Sequence, residues 1–380
     1  MIVDRKLSWV VVPFVLAGTM MGAWALADMR TKREVDSIAG KMKTVCAGRF
    51  LIDMPEDAQV ELSKARIDNF DIAAFEEPEA EFRTRVTERE KQITAKPDWR
   101  GGEKNLESAK AVTTNSGLVG KIFMHSRTVD EGTQGDGLGG VERYRNEGIS
   151  TEALVHGHGI SVDLSSESRA LQWVDDLPRL VKQLEANPDN RIPTESGFCM
   201  DRVYVRDPLR ADQLEQIMML ARLPNYPDIE FLMILAAGIK PESKGLLERS
   251  RASDARMPLF EMNHVSTIRG ASRTIGGLVG DELVERFTED NAAKVYSFWW
   301  EVNGTEDNVF IPHVVFTMDT GKGNHSPVPS SLSEDVALAL WDRISSSIRL
   351  RPSAVKHSAT GQAGLTPDSA KLPNQTPAPR

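Results

Sequence analysis

The sequence predicts an α+β fold of two similar domains from an internal duplication, each a mainly antiparallel sheet with packed helices. A segment that runs from cysteine through arginine to an Asp and a Pro opens at Cys46 and again at Cys199. The tetrapeptide Gly-Leu-Val-Gly occurs at 117–120 and at 277–280, and apolar residues at helical spacing close both halves. Landmarks that recur in the same order indicate that one unit occurs twice.

Length and composition fit this interpretation. The chain has 380 residues, more than a single core usually holds. Hydrophobic residues make up 40% and charged residues 27%, which are ordinary values for a globular protein. The net charge of −9 disfavours a general attraction to phosphate backbones or anionic lipid. We therefore expect no nucleic-acid partner, and a charged partner would be basic.

The N-terminus has the layout of a secretory signal peptide. Arg5-Lys6 precedes the uncharged run 7–26, and Ala25-Leu26-Ala27 forms an A-x-A cleavage signal. The run is also long enough to span a bilayer as an uncleaved anchor, so any membrane contact is expected there. Both alternatives export the remainder of the chain.

Composition divides the chain into five segments. A tail is predicted to be disordered because it is rich in Ser, Ala, Thr, Gly and Pro and has almost no large apolar residue. The expected segments are a signal peptide or anchor at 1–27, a linker at 28–42, an N-terminal α+β domain at 43–190, a C-terminal α+β domain at 191–352 and the tail at 353–380.

The first half begins with strands and ends with a helix. Pro78-Glu79 starts a helix, because Pro suits its first position and acidic residues suit its first turn. The Gly- and Asp-rich stretch 129–140 is typical of an exposed loop. A capped helix with regular apolar spacing follows Ser165. The other predicted elements are strands at 45–52, 66–75, 109–113 and 118–125, and a hairpin of 141–146 with 153–164.

The second half repeats this order with one addition. The stretch 211–223 is predicted to be an extra helix, and Pro241-Glu242 starts the helix that matches the one at Pro78. Asn303-Gly304 is a hairpin turn signal. Ser331 to Glu334 cap the closing helix. The remaining predicted strands are 199–205, 229–236, 294–302 and 309–318.

Cys46 and Cys199 are the only cysteines in the chain. In an oxidising compartment they would pair, and a bridge across so long a loop would stabilise the fold by ~5 kcal/mol. Two buried, unreactive thiols, one in each half, are the alternative, because the sequence does not supply the Cα separation that a bridge needs. No Cys-x-x-Cys occurs, so neither a redox motif nor a thiolate zinc site is predicted.

The sequence carries none of the common catalytic motifs. Gly-x-Ser-x-Gly, His-Glu-x-x-His and the P-loop do not occur. The stretch 135–140 satisfies G-x-G-x-x-G by letter, but it follows polar residues rather than a strand and opens no helix. We therefore expect no catalytic residue and no cofactor.

His156 and His158 are the best candidates for metal ligands. Alternation along a strand would place both imidazoles on one face, and Asp163 and His125 would complete a zinc shell. Two surface histidines on a hairpin are the favoured interpretation, because no second ligand pair accompanies them. A metal-dependent envelope hydrolase that uses His156 and His158 remains an alternative function.

Three tryptophans are candidate partner contacts. Trp299 and Trp300 are neighbours on one predicted strand, so one indole must face away from the other. The simpler interpretation puts one ring in the core and the other over an edge, whereas Trp is also enriched at binding hot spots. Trp99 opens a Trp-Arg-Gly-Gly loop and is the third candidate.

The segments that open at Cys46 and at Gly197, together with the exported two-domain layout, resemble the immunity proteins of type VI secretion lipase effectors. The similarity extends over residues 43–350. It implies a periplasmic antitoxin that is not an enzyme, has no catalytic residues or cofactor, and binds a cognate phospholipase. Such proteins grip the toxin between two domains and block its lid or substrate entrance. A structural protein of the cell envelope is a further alternative.

Overall fold

The computed structural model describes residues 28–207 and 213–352, and β-strands dominate it. The strands are β1 (Met42–Ala47), β2 (Phe50–Pro55), β3 (Gln59–Leu62), β4 (Ala65–Ile67), β5 (Phe70–Glu76), β6 (Leu106–Thr113), β7 (Val119–Gly135), β8 (Val141–Gly157), β9 (Ile160–Ala170), β10 (Leu184–Ala186), β11 (Gly197–Met200), β12 (Val203–Arg206), β13 (Glu215–Leu223), β14 (Tyr226–Ala237), β15 (Val265–Ile275), β16 (Leu278–Thr288), β17 (Lys294–Val302), β18 (His313–Asp319) and β19 (Arg349–Leu350). The helices are α1 (residues 28–39), α2 (Glu79–Thr94), α3 (Asp176–Lys182), α4 (Leu246–Asp254), α5 (Leu259–Met262) and α6 (Glu334–Ser345), with a 3₁₀ turn at Leu171–Trp173.

One large antiparallel sheet runs through both halves. Over the described ranges it has 13 strands in the order β15-β16-β17-β18-β14-β13-β4-β5-β9-β8-β7-β6, with β3 also paired to β13. The two halves meet where β13 pairs with β4, through Glu215 opposite Ile67 and Gln216 opposite Arg66. Read outward from this junction, the six strands of each half occur in the same relative order.

Two small sheets join the beginning of one half to the end of the other. β10, which follows α3 in the first half, pairs with β12 of the second half. β19, which follows α6 in the second half, pairs with β2 of the first half. The opening hairpin of each half is therefore completed by the closing strand of the other half.

The main core lies between one face of the large sheet and a layer built from the small sheets, α1, α3 and α6. Trp341 of α6 is fully buried, and its ring centroid is 5.1 Å from that of Phe316 and 5.5 Å from that of Phe298. Its indole Nε1 donates to Glu282 over 2.7 Å, so the one polar atom of the ring is satisfied. α2 covers the opposite face of the sheet, where Phe82 and its neighbours pack on β7 and β8.

Several predicted elements were wrong because strand pairing overrode the local pattern. The stretch 211–223 was predicted to be a helix, but its described part is β13, in which inward and outward residues alternate. β13 pairs with β14 on one side and with β3 and β4 on the other. Pairing with strands that are distant in sequence decides between helix and strand in an apolar run of this kind. Likewise β7 and β8 continue through 129–135 and 141–148 instead of forming a loop and an early turn, and β9 extends to Ala170 before any helix begins.

The ends of several elements also differ from prediction. The strand predicted at 45–52 is a hairpin that turns at Gly48, and the one at 199–205 turns at Arg202, because both residues adopt positive φ. The helix predicted at Pro241 begins instead at Leu246, after the extended Gly245. The prediction of a linker at 28–42 was also wrong. Residues 28–39 are helical, and Val35, Ile38 and Ala39 are buried in the main core.

The predictions for 1–27 and 353–380 fall outside the described residues. Within the described ranges, no helix is both long enough and apolar enough to cross a bilayer.

Candidate functional site

A disulfide joins the two opening hairpins. Cys46 and Cys199 are buried and bonded to each other, and their Cα atoms are 5.8 Å apart. Gly48 and Cys199 also exchange backbone hydrogen bonds, with the Gly48 amide donating over 2.9 Å and the Cys199 amide over 2.8 Å. Leu51 and Tyr204 cover the bridge. The cysteines therefore hold the two halves together rather than carry chemistry.

A buried ion cluster lies beside this bridge. Arg49 is only 3% exposed, and its guanidinium donates to both carboxylate oxygens of Glu215, at 2.8 and 2.7 Å. It also donates to Asp207 at 3.2 and 3.1 Å. Burial lowers the pKa of Arg49, but the two carboxylates outweigh burial and raise it. Because Arg49 belongs to the first half and both acids to the second, the cluster is a second link between them.

A groove of about 670 Å³ lies between α2 and β9. Arg85 bridges Glu77 and Asp163. Arg89 pairs with Glu152. Nε2 of His125 lies 2.9 Å from the same carboxylate and donates to it in the tautomer that carries the proton on Nε2. Burial alone would raise the pKa of Glu152, but the hydrogen bonds from Arg89 and His125 lower it to about 2. These arginines and carboxylates are thus paired with one another, and the pairs anchor α2 on the sheet.

The four residues considered as metal ligands do not converge. His156 is buried, stacks on Phe82 with ring centroids 5.1 Å apart, and has its Nδ1 3.1 Å from the hydroxyl of Ser161. His158 is exposed at the turn after β8, with φ of 55°, so the alternation argument for a shared face was wrong. Asp163 and His125 are held by Arg85 and Glu152. Nowhere in the described part of the chain do three or more His, Cys, Asp or Glu side chains form a metal-binding group.

The predicted tryptophan contacts fall in different environments. Trp300 is 0% exposed and donates through Nε1 to the carbonyl of Arg273 over 3.0 Å, so as a partner contact it was wrong. Trp299, its neighbour on β17, points to the opposite face and is 36% exposed. Trp99 is 43% exposed in the loop after α2, with the guanidinium of Arg100 4.4 Å from its ring centroid.

Sequence reasoning missed other exposed apolar residues on the first half. Leu138 is 93% exposed and Val141 is 74% exposed at the tip of the β7–β8 hairpin, and Leu171 and Trp173 are exposed after β9. Their exposure was not predicted, because 129–140 was expected to be a loop and the stretch after Ser165 a helix. A repeated motif could have pointed to the hairpin tip, since Asp-x-x-Gly-Gly occurs in the Trp99 loop at 98–102 and again at 136–140.

The sequence matches a known protein family in both halves. Residues 43–134 match the N-terminal domain of Tle cognate immunity protein 4, and residues 191–353 match its C-terminal domain. No curated protein sequence matches the chain.

Solved structures of immunity proteins have a similar fold. The immunity protein TplEi of the T6SS from Pseudomonas aeruginosa is similar in its apo form, with TM-score 0.65 and 22% identity, and in complex with an "L" peptide, with TM-score 0.63 and 23% identity. A crystal structure of the Tle4–Tli4 complex contains a chain with TM-score 0.66 and 23% identity. Each likeness covers 82% of this chain and 98% of the other chain. At these identities the likeness establishes the fold.

Proposed function

The chain belongs to the Tle cognate immunity protein 4 family, whose members are immunity proteins rather than enzymes, and from this premise we propose that it binds and inhibits a cognate type VI secretion lipase effector. The observation that carries the proposal is the match to both domains of that family in the family's own order. The Tle4–Tli4 complex, one chain of which has a similar fold, supports binding as the mode of action.

Inhibition would act by covering the lid or substrate entrance of the effector, which the two halves grip together. Such a grip requires two halves with a fixed relative position. The disulfide, the Arg49 cluster and the β4–β13 pairing supply three links between them and support this requirement. A scaffold that is rigid before binding loses little entropy on association.

The protein would act in the periplasm as two domains that arose by duplication. The signal-like residues 1–27 and the disulfide are typical of an exported chain in an oxidising compartment. The matching strand order on either side of the β4–β13 junction supports duplication. The proposed boundaries are 43–190 and 191–352.

The test is whether the purified protein inhibits a lipase that is encoded beside its gene. We expect a stable stoichiometric complex on a sizing column and loss of phospholipid hydrolysis at an equimolar ratio. An unrelated lipase that is not bound serves as the control. A neighbouring lipase that keeps full activity with this protein in tenfold excess would refute that pairing.

A further inference from the structure

β7 and β8 project beyond the sheet as a two-stranded ribbon. β6 follows β7 only as far as His125, and β9 follows β8 only as far as Gly148. β7 and β8 continue to pair from Thr128 opposite Gly148 to Gly135 opposite Val141. At about 3.3 Å per residue the ribbon, residues 128–148, reaches roughly 20 Å past its neighbours.

The ribbon is ordered by its own cross-strand contacts. Arg145 pairs with Glu131 across the ribbon at 2.5 Å and with Glu147 at 2.9 Å. Tyr144 lies opposite Gly132, and a Cβ on that glycine would be only 3.0 Å from the tyrosine hydroxyl and 3.1 Å from ring carbons, so the ring covers the backbone. A two-stranded ribbon without a core is marginal in water, and these contacts add to the pairing of its strands.

The tip has the same loop geometry as the loop that carries Trp99. Asp136 accepts hydrogen bonds from the amides of Leu138 and Gly140, both at 2.8 Å. Asp98 accepts them from the amides of Arg100 and Gly102, at 2.8 and 2.9 Å. In both loops the Asp amide donates to the carbonyl of the second glycine, at 3.1 Å in the tip and 2.8 Å after α2. Each loop thus presents one large apolar side chain, Leu138 or Trp99, from a closed backbone.

Five exposed large apolar side chains of the first half lie at or beside this end: Trp99, Leu138, Val141, Leu171 and Trp173. The Trp99 loop lies at the base of the ribbon, since the amide of Ser126 donates to the carbonyl of Asn105 over 3.1 Å. On the other flank, β9 ends beside the base of the ribbon, where Ala170 is opposite Gly148. The exposed Leu171 and Trp173 follow directly, and Arg169 holds the carbonyl of Trp173 at 2.9 Å. We call the ribbon, the loop 98–102 and residues 171–173 the ribbon end.

The ribbon carries more acidic than basic side chains. Residues 128–148 contain Asp130, Glu131, Asp136, Glu142 and Glu147 against Arg143 and Arg145, a net charge of 2 − 5 = −3. A membrane with anionic lipid would repel such an element. A protein crevice with an apolar floor and a basic rim complements both the apolar tip and the acidic sides.

We propose that the ribbon end is the part of the first half that contacts the effector, with Leu138 and Val141 inserted into an apolar crevice of the effector that has a basic rim. This proposal rests on the proposed function. Two exposed apolar side chains on a tip with a closed backbone can bury apolar surface on binding at a small cost in conformational entropy.

The test compares the affinity of the purified effector for the full-length protein and for the double variant Leu138→Ser/Val141→Ser. We expect the double variant to bind at least about tenfold more weakly, because the burial of two apolar side chains in the crevice would be lost. Val119→Ser and Val279→Ser are matched controls, since these valines are 51% and 68% exposed and lie away from the ribbon end. Both control variants should bind as the unmodified protein does. Amides of residues 128–148 should also gain protection from hydrogen exchange in the complex.

The outcomes separate this proposal from the proposed function. An effector that binds the unmodified protein and the double variant within twofold, without new amide protection in the ribbon, overturns the ribbon proposal and leaves the immunity function intact. An effector that does not bind the unmodified protein refutes the proposed function for that effector, and the ribbon proposal falls with it. Retention of the protein on phosphatidylethanolamine–phosphatidylglycerol vesicles, lost in the double variant while effector affinity is unchanged, would assign the tip to a lipid surface and overturn the proposal.

Discussion

At the scale of single residues, Arg49 links the two halves through a buried ion cluster. It satisfies two carboxylates, one of them the buried Glu215. A buried pair adds little over an apolar replacement, but the loss of one partner leaves an uncompensated charge.

We therefore predict that Arg49→Ala destabilises the protein by about 3–5 kcal/mol, because Glu215 would remain buried without its cation. Urea unfolding measures the effect. Arg66→Ala is the control, since its pair with Asp71 is about half exposed and should be worth less than about 1 kcal/mol. Equal losses in the two variants would contradict the role of the buried cluster.

Glu152 should contribute to the acid limb of the stability profile. Its folded pKa of about 2 is below the ordinary value of about 4.3. An acid with a depressed folded pKa contributes stability above the unfolded pKa, and that contribution is lost as the pH falls from about 4.3 to about 2. We expect a loss of about 2 kcal/mol after allowance for partial solvent screening. Unfolding free energies from pH 5 to 2 test this. Glu152→Gln should lower stability at pH 5 and flatten the curve below it, whereas an unchanged acid limb in that variant would refute the assignment.

The residue-scale predictions from sequence succeeded only where local pattern was sufficient. Alternation along one strand correctly required the indoles of Trp299 and Trp300 to point in opposite directions, but it could not say which of them was buried. The partner of Arg49 lies 166 positions away, and nothing within a short window identifies it. Trp173 was hidden because Ser-Ser-Glu at 165–167 has the composition of a helix cap and yet lies in β9.

At the scale of elements, the disulfide joins two hairpins whose own sheets are small. Replacing both cysteines by alanine is predicted to cost about 2–5 kcal/mol, because the bridge closes a loop of 153 residues in the unfolded chain. Thermal unfolding of this variant should match that of the reduced unmodified protein. A variant as stable as the oxidised protein would show that the hairpins need no covalent link.

The ribbon tip allows a prediction about order before binding. Asp136→Ala removes the acceptor of two backbone amides, so the tip should lose its closed conformation while the core is unaffected. We expect faster amide exchange at residues 137–140, unchanged global stability, and an effector affinity about three- to tenfold lower because the tip must be ordered on binding. Asp130→Ala is the control, since Asp130 lies on the same ribbon away from the tip. Unchanged exchange at the tip would refute the role of the Asp136 side chain.

Elements were predictable where their signals were local. α2 begins at Glu79, directly after Pro78, as the proline and the acidic first turn indicated. β13 could not be predicted, because Ile-Met-Met-Leu-Ala fits either a helix or a strand and its pairing with β3 and β4 involves residues about 150 positions earlier. The length of β7 and β8 was missed for a similar reason, since Gly132, a residue type that usually marks a loop, is covered by Tyr144, and its neighbour Glu131 pairs with Arg145 across the strands.

At the scale of the whole molecule, the halves share one sheet and one main core. We predict that the oxidised protein unfolds in a single cooperative transition, with equal calorimetric and van't Hoff enthalpies. Fragments 43–190 and 191–352 expressed separately should not fold as stable units, because each would expose β4 or β13 and would lack the closing strand supplied by the other half. Two separate transitions, or a fragment with a cooperative melt, would contradict this expectation.

The pairing of β19 with β2 also has a consequence for when the first hairpin can be completed during synthesis. Arg349 lies opposite Leu51, so the strand that completes the first hairpin is among the last described segments to leave the ribosome. The first hairpin therefore lacks its closing strand until synthesis has passed Leu350. Premature termination anywhere before α6 then yields a product that is open at its first hairpin and accessible to proteases.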